Sequence, residues 1–140
     1  SEIGILASSA FLSVILLPQI DVAALSNFIA LHDLGQSTVL ILTFWTIVLL
    51  APMGINPIIT VLLAVDILAT LPGQEISPYL ILFVCTMGWT LVTGFSPFAA
   101  ALRLVCRCIN ISPLRVGLVW NRVFSLCVFA GASLYLLIIA

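Results

Sequence analysis

Gly54-Ile55-Asn56-Pro57 and Gly94-Phe95-Ser96-Pro97 are one four-residue pattern written twice, forty positions apart. Each interrupts an apolar run, and each is followed by another. Asn or Ser before Pro reads as a helix start. The side-chain oxygen accepts a hydrogen bond from a free backbone N–H, and Pro fits the first helical turn, where its missing N–H is not needed. The Gly two positions earlier lets the preceding helix stop in a backbone conformation that other residues resist. At both places one helix is therefore expected to end and another to begin almost at once.

Composition says what kind of helices these are. The chain has 140 residues, of which 64% are hydrophobic and 6% charged, and its mean hydropathy is +1.39. A soluble domain carries about 25% charged residues. The reading is an all-α integral membrane protein with the lipid bilayer as its surroundings, and nucleic acid is not an expected partner. Lys is absent, and the four cations, Arg103, Arg107, Arg115 and Arg122, fall within twenty residues. Four of the five acids precede position 70, and the fifth is Glu75. The first apolar run has no basic flank and no A-x-A site after it, so a cleaved signal peptide is not expected. The start at Ser1-Glu2, without Met, suggests a fragment or a processed chain. Of the four cysteines, Cys106 and Cys108 form a C-x-C with no second Cys or His pair to complete a metal site. Neither a metal nor an organic cofactor is expected, and the cysteines read as small apolar packing residues.

The chain divides into five parts. A span over 1–18 ends at Pro18 and carries small residues at Ser8, Ser9, Ala10 and Ser13, suited to close helix packing. An interfacial connector, 19–36, holds a short amphipathic helix capped by Asp21 and running to about Leu31. Gly35 ends it, and Ser37 or Thr38 is expected to cap the next helix. Residues 37–71 hold two apolar pieces, Val39–Met53 and Ile58–Leu71, roughly 23 and 21 Å long by the helical rise. A span needs ~20 residues, so the pair is either two tilted short spans or a re-entrant hairpin whose tip, Gly54–Pro57, lies near mid-membrane. Residues 77–109 read as one span broken at Gly94–Pro97, with a Thr86, Thr90, Thr93 stripe before the break and Arg103 and Arg107 after it. The final span, 113–140, opens with a collar of Arg115, Trp120, Asn121 and Arg122. The hairpin is the preferred reading because it sorts the charges. Asp21, His32, Asp33 and Glu75 fall on one side and the four Arg on the other, which the positive-inside bias makes cytoplasmic. The inner membrane of a bacterium is the expected location.

Non-helical backbone at membrane depth survives only where protein buries it or a wet cavity bathes it. Discontinuous helices that meet near the midplane are a signature of secondary transporters, whose half-helix N-termini face anionic groups while unwound carbonyls hold Na⁺. Two such N-termini are expected here, at Asn56-Pro57 and Ser96-Pro97, with hydroxyls nearby at Thr60, Thr90, Thr93 and Ser96.

An amphipathic connector, a hairpin with a G-x-N-P tip, a span broken at G-x-S-P and a closing span resemble the carboxy-terminal half of the ion transporter superfamily. That group includes divalent-anion/sodium symporters, citrate transporters, arsenite-pump-like permeases and the large membrane subunit of TRAP transporters. The tip lacks the Ser-Asn-Thr triplet of the divalent-anion branch. The resemblance implies substrate and sodium sites at Gly54, Asn56 and Pro57 with Gly94, Ser96 and Pro97, in one half of an inverted-repeat permease. It implies ion-coupled uptake of a small anionic solute, with sodium or a proton as coupling ion. It also implies a second half: an amino-terminal half of the same chain, a partner subunit, or another copy in a homodimer. The competing reading is a small membrane subunit that packs on a partner and transports nothing. An enzyme is not expected, since H-E-x-x-H, G-x-S-x-G and paired catalytic carboxylates are all missing.

Overall fold

A computed structural model describes residues 7–8, 11–12, 14–73 and 75–140. Half of the expected 1–18 span, including Ser9, Ala10 and Ser13 of its small face, lies outside the described residues. The described residues are all-helical. After a short turn at Leu17–Gln19 come α1 (Val22–Leu31), α2 (Gln36–Leu50, continued by a tighter turn, Ala51–Met53), α3 (Pro57–Thr70), α4 (Pro78–Phe95), α5 (Ala100–Ile109), a wide π-helical stretch Arg115–Trp120, and α6 (Arg122–Ile139).

Local chemistry explains most of these boundaries. Asp21 caps α1 as expected: its Oδ1 accepts from Ala24 N–H at 2.8 Å. Before α2 the expected Ser or Thr cap is replaced by Gly35, whose extended backbone lets Gln36 enter the helix directly. Ser37 and Thr38 already stand inside its first turn. The rod Gln36–Met53 is thus 18 residues long, or ~27 Å by the helical rise, three residues more than Val39–Met53. It is long and apolar enough to cross a membrane, as are Pro78–Ile109 and Arg122–Ile139. The shortness that favoured a hairpin stopping halfway is absent from its first arm.

Helices α2 and α4 run parallel, and the contact between them is made by a missing side chain. A Cβ on Gly88 would sit 2.9 Å from Ile47 Cγ2. Such small-residue crossings let helices in lipid approach closely, where packing rather than expulsion of water holds them together. Helix α6 runs antiparallel to both. Trp45 Nε1 donates to Ser133 Oγ at 3.0 Å, and Phe83 meets Tyr135 with ring centroids 4.7 Å apart. Leu40, Phe44, Ile47, Val84, Val92 and Leu136 fill the interior between the three helices.

This topology gives the bundle two chemically different ends. Asp33 precedes α2 and Glu75 precedes α4, so both lie at the end where those helices start. The Arg-bearing segment 100–122 lies at the other end, where α2 and α4 stop and α6 begins. Two full crossings by α2 and α3 return the chain to its starting face, just as a re-entrant hairpin does. The sorting of charges is therefore common to both arrangements, and only helix length separates them.

Candidate functional site

The first break forms as its residues dictate. Gly54 adopts φ 92°, the left-handed region that favours glycine. Its N–H reaches Ala51 O at 3.1 Å, and Ile55 N–H reaches Leu50 O at 3.3 Å, which satisfies the last carbonyls of α2. Asn56 is the cap of α3, its Oδ1 accepting from Ile58 N–H at 3.0 Å, with Pro57 as the first helical residue. The Thr60 hydroxyl donates to Pro57 O at 3.0 Å.

The second break departs from expectation. Helix α4 runs on through Gly94 to Phe95, and Ser96 closes it with an N–H bond to Val92 O at 2.9 Å. Ser96-Pro97 therefore does not begin a helix. A turn at 97–98 follows, and α5 starts at Ala100 behind Ala99, which has no side-chain cap to offer. The reason lies in the Ser96 hydroxyl. It accepts from Phe98 N–H at 3.3 Å, which shapes the turn locally, and it donates to Ala51 O at 3.0 Å across the bundle. The expected cap is instead a clasp between the two breaks, and Ser96 is only 2% exposed.

Two further residues hold the second break from below. Asn121 Nδ2 donates to Gly94 O at 2.8 Å, occupying a carbonyl near the end of α4. Gly117, in the wide helical stretch, approaches so closely that a Cβ there would lie 2.4 Å from Phe95 O and 3.0 Å from Leu102 Cδ2. Asn121 reads from sequence as an interfacial collar residue and Gly117 as nothing in particular. Their roles come from residues 15 or more positions away, which no local pattern announces.

Between the clasped breaks lies a cavity of about 470 Å³. Gly54, Asn56, Pro57, Thr93 and Ser96 line it, so five of the nine expected site residues come together. Four do not. Gly94 and Pro97 are part of the break but do not line the cavity; Thr90 is exposed and donates to Thr86 O at 2.8 Å; Thr60 borders a separate, apolar cavity of about 360 Å³ between α1, α2 and α3. The Thr93 hydroxyl also bonds to its own helix, at Trp89 O. Trp89, Phe98 and Ala99–Ala101 are also among the lining residues, none of which is charged. Both helix starts, Asn56–Ile58 of α3 and Ala99–Ala101 of α5, face this space. The first-turn N–H groups of an α-helix have no partner within it; at α3 Pro57 has none and Asn56 takes those of Ile58 and Ile59, whereas the start of α5 has no side-chain cap. Asp66 stands on α3 outside this cavity, partly buried. Among the described residues no group of His, Cys, Asp and Glu could hold a metal ion. The chain matches no family model, no curated protein and no solved structure.

Proposed function

We propose that this chain forms one wall of the solute site of an ion-coupled secondary transporter, and that the solute is a small anion. The observation that carries this reading is the single cavity onto which the starts of α3 and α5 both open. Its volume of about 470 Å³ falls in the range of small-molecule sites. With no charged side chain in the lining, an anion would be held by the N–H groups at the uncapped start of α5 and by the positive ends of two helix dipoles. Carbonyls of the 51–55 turn are the natural ligands for a coupling sodium ion; a proton is the other candidate. The opposite wall comes from a second half: an amino-terminal half, a partner subunit, or another copy related by an inverted repeat. The Arg end is cytoplasmic by the positive-inside bias.

Substitution with a neighbour as control tests the site. Asn56→Ala removes a cap worth about 0.5–2 kcal/mol to its helix, and it should weaken solute binding by the complete transporter more than it lowers the melting temperature. Thr43→Ala, whose hydroxyl only donates to Val39 O, should change neither. Equal binding by both variants would remove the site. Depth in the membrane is tested by placing single cysteines at positions 55 and 75 and labelling with an impermeant thiol reagent. The ~27 Å length of Gln36–Met53 leads us to expect position 55 to label from the Arg side and position 75 from the other. Failure of position 55 to label from either side would instead support a re-entrant hairpin with its tip at mid-depth.

A further inference from the structure

We infer that Arg103 and Arg107, with Asn110 and Ser112, form a binding pocket for the phosphate of an anionic membrane lipid. This is independent of the solute site. The four residues line a pocket of about 370 Å³ at the Arg end of the bundle. Arg103 and Arg107 stand one turn apart on α5, and both are exposed. Like charges at this spacing repel and destabilise a helix, so the pair favours an anion between them. The chain supplies none: among the described residues neither guanidinium makes an ion pair, and Asp33 and Glu75 lie at the far end of the bundle.

The fold builds the pocket by reversing the chain sharply. Asn110 adopts φ 54°, and Ile111 N–H bonds back to Cys106 O at 3.1 Å. That turn brings Ser112 against the Arg-bearing face. The hydroxyl of Ser112 accepts from Arg115 N–H at 3.3 Å, leaving its own proton to donate into the pocket. Guanidinium forks, an amide and a hydroxyl are the donors a phosphate takes.

A lipid, rather than free phosphate, is indicated by what surrounds the pocket. Only one edge of α5 is buried, with Leu102 and Cys106 packing on Val116. Leu104 and Val105 on the same helix are 64% and 52% exposed. Leu114, Val119 and Trp120 continue this apolar surface on the following segment. An amphipathic helix with Arg on its polar side and a Trp close by is built to lie at a headgroup boundary. A phosphate held by the two Arg would then carry its acyl chains against the exposed apolar residues.

The test uses the full chain purified in mild detergent, with retained phosphatidylglycerol and phosphatidylcholine compared by native mass spectrometry. Each basic residue near a lipid surface contributes about fivefold in binding. The pair Arg103→Gln, Arg107→Gln should therefore lower phosphatidylglycerol retention by roughly twenty-fold and leave phosphatidylcholine unchanged. The pair Arg115→Gln, Arg122→Gln removes the same charge outside the pocket and should cost far less. Equal losses in the two double variants would mean general charge attraction and would overturn the pocket. Stripping of the lipid by millimolar inorganic phosphate would overturn the lipid assignment. Because both Arg are exposed, the first double variant should keep its helical circular dichroism; if it does not, single substitutions Arg103→Gln and Arg107→Gln carry the same comparison.

Discussion

Gly117→Ala should destabilise the folded chain by about 1–3 kcal/mol, the usual cost of forcing an extra carbon into a packed interior. The added Cβ would lie 2.4 Å from the Phe95 carbonyl oxygen. That oxygen belongs to backbone at the end of α4, so it cannot swing aside as a flexible side chain would. Either the wide helical stretch 115–120 retreats from the break or the break itself opens. Retreat would also pull on Asn121, one residue beyond that stretch, and lengthen its bond to Gly94 O. The matched control is Gly131→Ala on α6, where nothing lies within 4 Å of the new Cβ. That variant should stay within about 0.5 kcal/mol of the parent. Thermal unfolding in detergent, followed by Trp fluorescence, compares the two. Indistinguishable melting temperatures would show that the close approach of Gly117 to Phe95 does not hold the fold together.

Ser96→Ala should cost about 1–3 kcal/mol, because it removes both hydrogen bonds of a buried hydroxyl at once, each worth about 0.5–1.5 kcal/mol. The hydroxyl links Ala51 O at 3.0 Å and Phe98 N–H at 3.3 Å. Its loss uncouples the turn after α2 from the turn after α4. The effect should be local as well as global: the Phe98 amide, deprived of its acceptor, should exchange hydrogen faster, while amides of α6 keep their rate. Ser96→Thr retains the oxygen and should recover most of the stability. Ser133→Ala loses the more exposed bond from Trp45 Nε1 and the hydroxyl's bond to Phe129 O on its own helix, and should cost less than about 1 kcal/mol, as is usual for bonds between membrane helices. An equal cost for Ser96→Ala and Ser133→Ala would mean that the two breaks are not clasped by this hydroxyl. If the cavity is the solute site, Ser96→Ala should also loosen solute binding, since the two helix starts would no longer be held at a set distance.

Much of the fold was legible in local patterns. Low charge and long apolar runs implied membrane helices, and the Pro and Gly positions marked nearly every boundary. Asp21, Asn56 and Asn110 act within a few residues of themselves: a cap for α1, a cap for α3, and a left-handed stop for α5. Each of these depends on a side chain meeting backbone that is already its neighbour, so the residue type and its position suffice. The first break was readable for the same reason, since Gly54, Asn56 and Pro57 need nothing from elsewhere to form their turn.

Tertiary structure decided what the second break became. Ser96 and Asn56 precede Pro in the same pattern, yet Asn56 caps a helix and Ser96 does not. A buried hydroxyl must find partners wherever they are, and for Ser96 one was the Ala51 carbonyl, 45 residues away. That choice moved the start of α5 to Ala100. Likewise the spacing of Thr86, Thr90 and Thr93 placed them on one helix but could not reveal that Thr90 and Thr93 donate to carbonyls of α4 itself. Gly88 and Gly117 look alike in sequence to Gly131. Only the approach of Ile47 to one and of the Phe95 carbonyl to the other makes them costly to replace, because packing depends on which surfaces meet, and one segment's sequence does not contain its neighbour.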